Sequence, residues 1–526
     1  MGTDRISRKE WSWVITWTII VLAISCLPYL IAWIATPPGY QFGGIVVNPL
    51  DGNSYVAKMR QGWQGAWQFH LTYTPEPHQG ASLIYFFYLG LGHLARLTGS
   101  SLLLIYHATR LLGGLALLIA AYSLLTRLSD DARERRLGFW LVSLSAGLGW
   151  IGTVLGAFPI DLWVPEAFTF FSLLTNPHFP LALALMVIVL IGVVWPASGL
   201  QSWLIPGVAA LALVLVHPLA LIPLYAALGL YLLLKIWFDR KWPWLEFTAA
   251  TGVGLFSAPL LLWGYWIYST NPAMSTWASQ NVTLAPPVSD VVLGYGLVGL
   301  LAIPGAVLVA RKRDCGGLAL LAWSIGCLVL AYLPFSLQRR FLTGLGLALA
   351  ILASLAVARW LWPKLSARRE RLASVLVVGV SSMGTLFLLA VLSLGVLNRD
   401  PRVGLFSHLY LSQDEVTAME WLLGNAQDEV VLASPRTSMF LPGWAGVRVV
   451  MGHPFETIDA ETKEAQVEAL FRCELSDAEW HKIQDAYQIH YVFVGPAEQA
   501  LGDSEACLDG LVPAFRQGEV TIYRLP

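Results

Sequence analysis

Eleven apolar runs, most of them about as long as a bilayer is thick, recur along this 526-residue chain and leave little room for a water-soluble fold. A helix rises 1.5 Å per residue, so about 20 apolar residues cross the hydrocarbon layer. The runs lie near residues 11–35, 101–126, 137–157, 180–195, 203–217, 218–237, 246–268, 291–310, 316–334, 341–362 and 373–397. Hydrophobic residues make up 56% of the chain and charged ones only 13%, above the apolar share of a soluble domain. The sequence therefore predicts an α-helical polytopic membrane protein of about 11 transmembrane helices.

The first run is too long for a signal-peptide core and has no small-residue cleavage site, so it reads as a retained span. Basic clusters then set the orientation. The segments 127–136 (RLSDDARERR), 235–241, 311–313 and 363–371 all fall on the side of Met1 and Arg5, the cytoplasmic side by the positive-inside rule. This holds only if the apolar run 82–97 (SLIYFFYLGLGHLARL) does not cross and lies in the interface as an amphipathic helix. The other face receives a long first loop (36–100), loops at 158–179, 269–290 and 336–341, and the tail. The expected location is the plasma membrane, with the amino terminus cytoplasmic and the tail outside.

The net charge of -1 hides an asymmetry, because residues 400–526 hold about 20 acids and about 8 bases. The chain reads as a membrane body over 1–399 followed by an exported, soluble α/β domain over 400–526. Residues 429–434, 448–452 and 489–495 read as strands, and 515–525 as a hairpin turning at Gly518. Ser412 with Glu415 and Ser476 with Glu479 read as capping boxes that start helices. Cys473 and Cys507 both fall in this tail, where an oxidising compartment permits a disulfide, and no cysteine spacing points to structural zinc. No catalytic constellation stands out in the tail, which reads as a lid or scaffold, with a part in acceptor recognition as the alternative.

Charged side chains at a membrane edge are costly unless solvated or paired, so they mark candidate sites. Asp51 opens the polar stretch NPLDGNSYVAKMRQG (48–62) with Tyr55 and Lys58, although an Asp-Gly turn starting a helix accounts for it equally well. Glu76 stands between Pro75 and Pro77 in TYTPEPHQG, and His78 follows directly on Pro77. The second exported loop offers Asp161, Glu166 and His178, and an unpaired Glu166 beside lipid would have to neutralise. His217 stands between two apolar runs, where an interhelical histidine is the commoner role. Arg339 and Arg340 break the positive-inside pattern in a short outer loop; two guanidinium forks there suit a lipid phosphate, bound specifically or as an ordinary headgroup.

Together these features resemble the GT-C superfamily of membrane glycosyltransferases, and within it the bacterial dolichyl-phosphate-mannose mannosyltransferase-like and aminoarabinose transferase group. The resemblance rests on the retained first span, the D-x-x-x-Y of Asp51 and Tyr55, Pro75-Glu76-Pro77-His78, the interfacial helix, the second acidic loop, Arg339-Arg340-Phe341 before a late span, and the exported tail. It covers the whole membrane body in architecture. It implies inverting transfer of a sugar from a polyprenyl-phosphate-linked donor to a glycan, lipid or protein acceptor on the extracytoplasmic face, among membrane lipids. The resemblance makes Asp51 the catalytic base or a metal-associated carboxylate, with a second acid from the next loop, Asp161 or Glu166. It implies a divalent cation, magnesium or manganese, with Asp51, Glu166 and His178 as its ligands. Tyr55, Lys58 and His78, with His178, His217, Arg339 and Arg340, are the expected substrate-binding residues. Asn176-Pro177-His178 departs from the family, which often has an aspartate near there, and this leaves the metal and the second acid open. A transporter or flippase of a lipid-linked glycan, or a GT-C-like protein without catalysis, are the rival classes. No internal repeat, P-loop, dinucleotide fingerprint or basic nucleic-acid-binding tail is present.

Overall fold

The computed structural model describes residues 6–398, 404–503, 506–508 and 510–526. Met1, Arg5 and the boundary expected between residues 399 and 400 lie outside the described residues. Among those described, nine helices are long and apolar enough to cross a membrane. The shorter apolar helices His178–Val194 and Gln201–Val216 fall on the two remaining runs, so every expected apolar run contains helix. By contact the chain divides into two compact units. One comprises Met1–Leu27, His107–Leu262 and Thr283–Leu392, the other Pro28–Tyr106, Trp263–Val282 and Ser393–Pro526.

In the first unit the run expected over 137–157 is not one helix. It forms Ala132–Leu144 and then Gly149–Val154, with residues 145–148 unwound between them. Unwinding frees backbone donors that a membrane cannot satisfy, so each needs a protein partner. Ala146 N–H donates to the Ser381 carbonyl at 2.8 Å and Leu148 N–H to the Leu293 carbonyl at 2.8 Å. Gly147 and Gly149 N–H both reach Asp161 Oδ2, at 3.0 and 3.1 Å. The partner helix Val288–Lys312 is itself kinked at Gly296, whose φ of 43° favours glycine. Uniform apolarity concealed this break, because hydropathy does not record which backbone bonds are made.

In the second unit a five-stranded sheet runs in the order Arg448–Val449, Val430–Leu432, Ile489–Val494, Val520–Arg524, Pro513–Gln517. The first three strands are parallel and the last two antiparallel additions, the final pair being the hairpin around Gly518. Both capping boxes form, and Cys473 and Cys507 are disulfide-bonded. One face of the sheet buries Val431, Phe493 and Ile522 with Met419 and Phe440, and that core is completed by Ala57 and Tyr73 from the first loop. A short antiparallel pairing of Tyr40–Phe42 with Tyr410–Ser412 joins the same two segments again.

Helix Pro49–Gln64 carries the first loop. Asn48 caps it in the left-handed conformation that asparagine tolerates, Pro49 occupies the first turn, and Gly65 at φ 109° ends it. The 13-residue helix Phe86–Thr98 packs along it. At about 1.5 Å per residue that second helix is roughly 20 Å long, short of a bilayer. The two helices meet backbone to backbone. A Cβ on Gly62 would sit 2.0 Å from the Leu89 carbonyl oxygen, and one on Gly92 would sit 1.9 Å from that of Met59.

Adding a methyl group at either glycine must push the helices apart. Gly92→Ala or Gly62→Ala is expected to cost about 1–3 kcal/mol, as overpacking does, and to lower the thermal unfolding midpoint of the purified protein. Gly90→Ala, on the same helix but with open space around it, is the control and should not lower it.

Candidate functional site

The amino-terminal half of helix Pro49–Gln64 places Asp51, Ser54, Tyr55 and Lys58 at i, i+3, i+4 and i+7, on one face. Asp51 lies in the first turn, where the helix dipole favours a carboxylate. Asn48 accepts from the Asp51 N–H at 3.4 Å and donates its own amide to Asp51 Oδ2. The Asp51 side chain remains 36% exposed, whereas Lys58 on the same face is 1% exposed.

The partners of this face come from the tail, in the segment His453-Pro454-Phe455-Glu456-Thr457. Lys58 Nζ pairs with Glu456 Oε1 at 2.8 Å, and the Ser54 hydroxyl donates to the same oxygen. The ammonium is boxed by the Tyr55, Phe69 and Tyr85 rings, with centroids 5.0, 5.6 and 4.4 Å away. Burial works to raise the Glu456 pKa, but the charge of Lys58 and the bonds from Lys58 and Ser54 outweigh it, leaving the carboxyl below its ordinary value. His453 Nε2 stands 3.2 Å from Asp51 Oδ1. Thr457 fixes the loop by accepting from the N–H groups of Gly452 and His453 and donating to the Tyr73 carbonyl at 2.7 Å.

His78 does not face this group. Its Nε2 accepts from Leu71 N–H at 2.8 Å and its Nδ1 is 2.8 Å from the Glu76 carbonyl, so backbone groups engage both ring nitrogens. Burial first, with the Glu76 hydrogen bond acting against it, lowers the imidazole pKa and keeps the ring neutral. Glu76 itself pairs with the buried Lys463. His78 also borders a cleft of about 470 Å³ that Gln61, Gln64, His70 and Arg448 help to line. Gln61 is ten residues along the helix from Asp51, about 15 Å by its rise.

The remaining candidates belong to the first unit. Glu166 is 1% exposed and pairs with Arg340 Nη1 at 3.4 Å, while its carbonyl accepts from Gly344 N–H at 2.9 Å. Arg339 lies over the Trp163 ring, 5.1 Å from its centroid. His178 and His217 are both buried, with ring centroids 5.0 Å apart, and the Arg340 guanidinium is within electrostatic reach of His217. Asp161 clamps the unwound segment 145–148; burial pushes its carboxyl up to about 6 against the two glycine N–H bonds that lower it.

Asp51 thus belongs to one unit, and Glu166 and His178 to the other. Among the described residues no group of three or more His, Cys, Asp and Glu side chains could hold a metal ion. Asp51 is bonded to Asn48 and His453, and Glu166 to Arg340, so this donor set does not fit the expected divalent cation. Sequence reasoning missed His453 and Glu456. A signal was available, because His453 comes four residues past the carboxyl end of the parallel strand Arg448–Val449, the end at which open α/β sheets put their ligand loops.

No family model and no curated protein matches the sequence. Solved structures share the fold. ArnT from Cupriavidus metallidurans in its apo state, 13% identical, covers 97% of this chain and 98% of its own at a TM-score of 0.54. The same protein bound to undecaprenyl phosphate gives the same values. The Archaeoglobus fulgidus oligosaccharyltransferase in the apo form, also 13% identical, covers 95% of this chain and 73% of its own at a TM-score of 0.54. The GT-C-like fold expected from the sequence is borne out.

The Lys58–Glu456 pair yields a stability prediction. Glu456→Ala strands a buried ammonium and is expected to cost about 3–5 kcal/mol, whereas Lys58→Met with Glu456→Leu should recover most of it. Because the folded Glu456 pKa is depressed, its contribution is complete above the ordinary value of 4.5 and is lost as pH falls through the folded-state value. Thermal unfolding of the three proteins across that range checks both statements.

Proposed function

We propose that the chain is an inverting membrane glycosyltransferase that moves a sugar from a polyprenyl-phosphate donor to an acceptor hydroxyl on the extracytoplasmic face. The observation that carries this reading is Asp51. Its carboxylate keeps 36% exposure at the end of a helix face whose Ser54 and Lys58 are buried and paired, on a fold shared with a structure bound to undecaprenyl phosphate.

In the proposed reaction the acceptor oxygen forms a bond to the anomeric carbon as the bond from that carbon to the phosphate oxygen breaks. Asp51 takes the acceptor proton, and the polyprenyl phosphate leaves with the electron pair. The leaving group is already a stable anion, so no general acid is required. Arg340 and Arg339 are assigned to the donor phosphate, with Glu166 holding the Arg340 fork in place. His178 and His217, beside Arg340, are assigned to the same end of the donor. Tyr55 and Lys58 shape the acceptor side, and His78 braces its loop. No step is routed through a metal.

The test uses the full-length protein in lipid nanodiscs, a panel of polyprenyl-phosphate hexoses and pentoses, and release of polyprenyl phosphate as readout. Asp51→Asn should lower turnover about 10²–10⁴-fold, the usual worth of a positioned base, while donor binding persists. Arg340→Lys keeps the charge opposite Glu166 but loses the planar fork, and should weaken donor binding. Full turnover by Asp51→Asn removes the base assignment. Absence of binding and turnover with every donor, together with solute flux in proteoliposomes, would favour the transporter class.

A further inference from the structure

We infer that His453, supplied by the tail, is a positioning residue that sets the orientation of the Asp51 carboxylate; this rests on Asp51 being the base. The hydrogen-bond pattern determines the tautomer. The Phe455 N–H donates to His453 Nδ1 at 3.2 Å, so in the neutral ring Nδ1 has no proton and Nε2 carries it. That Nε2–H points at Asp51 Oδ1 at 3.2 Å. Asn48 donates to the other oxygen, Oδ2. A carboxylate with one donor on each oxygen cannot spin about its Cβ–Cγ bond. It keeps further lone pairs on both oxygens for an incoming hydroxyl.

The imidazole is well placed for this task because it is itself immobile. It is 2% exposed, and Tyr73 lies against it with ring centroids 5.7 Å apart. Thr457 accepts from its backbone N–H, and Glu456 three residues on is anchored to Lys58. The charged and titratable groups around the ring are Asp51 and Lys58 from the helix, Tyr73 from the first loop and Glu456 from its own segment. The tail is then part of the reaction centre, and the scaffold role expected from sequence is too small for it.

A histidine that merely joined two segments would affect folding but would not show a specific dependence on the Nε2 donor. Glutamine offers a test, because its amide Nε2 stands the same number of bonds from the backbone as the imidazole Nε2. The experiment uses His453→Ala, His453→Gln and Asp51→Asn in the full-length protein in nanodiscs, with two readouts. The first is ¹⁵N NMR of the imidazoles, the His453 signal being assigned by its loss in His453→Gln. Protonated Nε2, bare Nδ1 and an Nε2 resonance that moves in Asp51→Asn are expected. A proton on Nδ1, or a resonance indifferent to Asp51→Asn, overturns the proposal whether or not any variant turns over.

The second readout is turnover of an undecaprenyl-phosphate hexose. His453→Ala should lower kcat on the order of 100-fold with KM for the donor little changed, the scale of loss when a reacting group is misplaced. His453→Gln should recover a large part of it. Equal losses in both variants, or a loss carried by KM alone, overturn the proposal. Full activity of Asp51→Asn would instead refute the base assignment, and the NMR result would still decide whether the hydrogen bond exists.

Discussion

A lysine ammonium with almost no solvent exposure must either lose its proton or meet a counter-charge, and here the counter-charge comes from a segment 398 residues away. The Lys58–Glu456 pair sits one helical turn beyond Ser54 and two beyond Asp51, so closing it brings the tail segment onto the helix in a single register. His453 then has little choice of position, since Thr457 and the Phe455 N–H set its loop and its ring. The pairing of Tyr40–Phe42 with Tyr410–Ser412 and the shared core of Ala57, Tyr73 and Phe440 hold the same arrangement from other sides.

The two units solve the problem of keeping a charge available in the same way. In each, a partly exposed ionic group is held by a buried partner of complementary chemistry: Asp51 by His453, and Arg340 by Glu166. The buried member is hydrogen-bonded through its own backbone or ring, so it acts as a fixed post. A flexible side chain at a water edge would otherwise sample many rotamers, and a reacting group loses rate when it does.

The helical runs were legible because spanning a bilayer demands about 20 apolar residues and little else produces such runs. The strands and capping boxes of the tail were legible for a similar reason, since each is a local pattern with a local cause. The break at residues 145–148 was not, because its cause is the bonds from Asp161, Ser381 and Leu293, which no window of sequence displays. Asp51 and Glu166 could be singled out as charges near lipid, but their partners could not. His453 and Glu456 lie in a charge-rich stretch where one more charge is unremarkable, and only the tertiary fold makes them neighbours of the first loop. At His78 a preceding proline draws attention to a ring whose two nitrogens both engage backbone groups.

The sequence separation between Lys58 and Glu456 also has a consequence for biosynthesis. At a ribosomal rate of about 5–20 residues per second, roughly 20–80 s pass between making the lysine and making the glutamate that neutralises it. Throughout that interval the nascent first loop can neither bury its ammonium nor close its hydrophobic seam. The helix that bears Asp51 is therefore translated long before the partner that lets it mature.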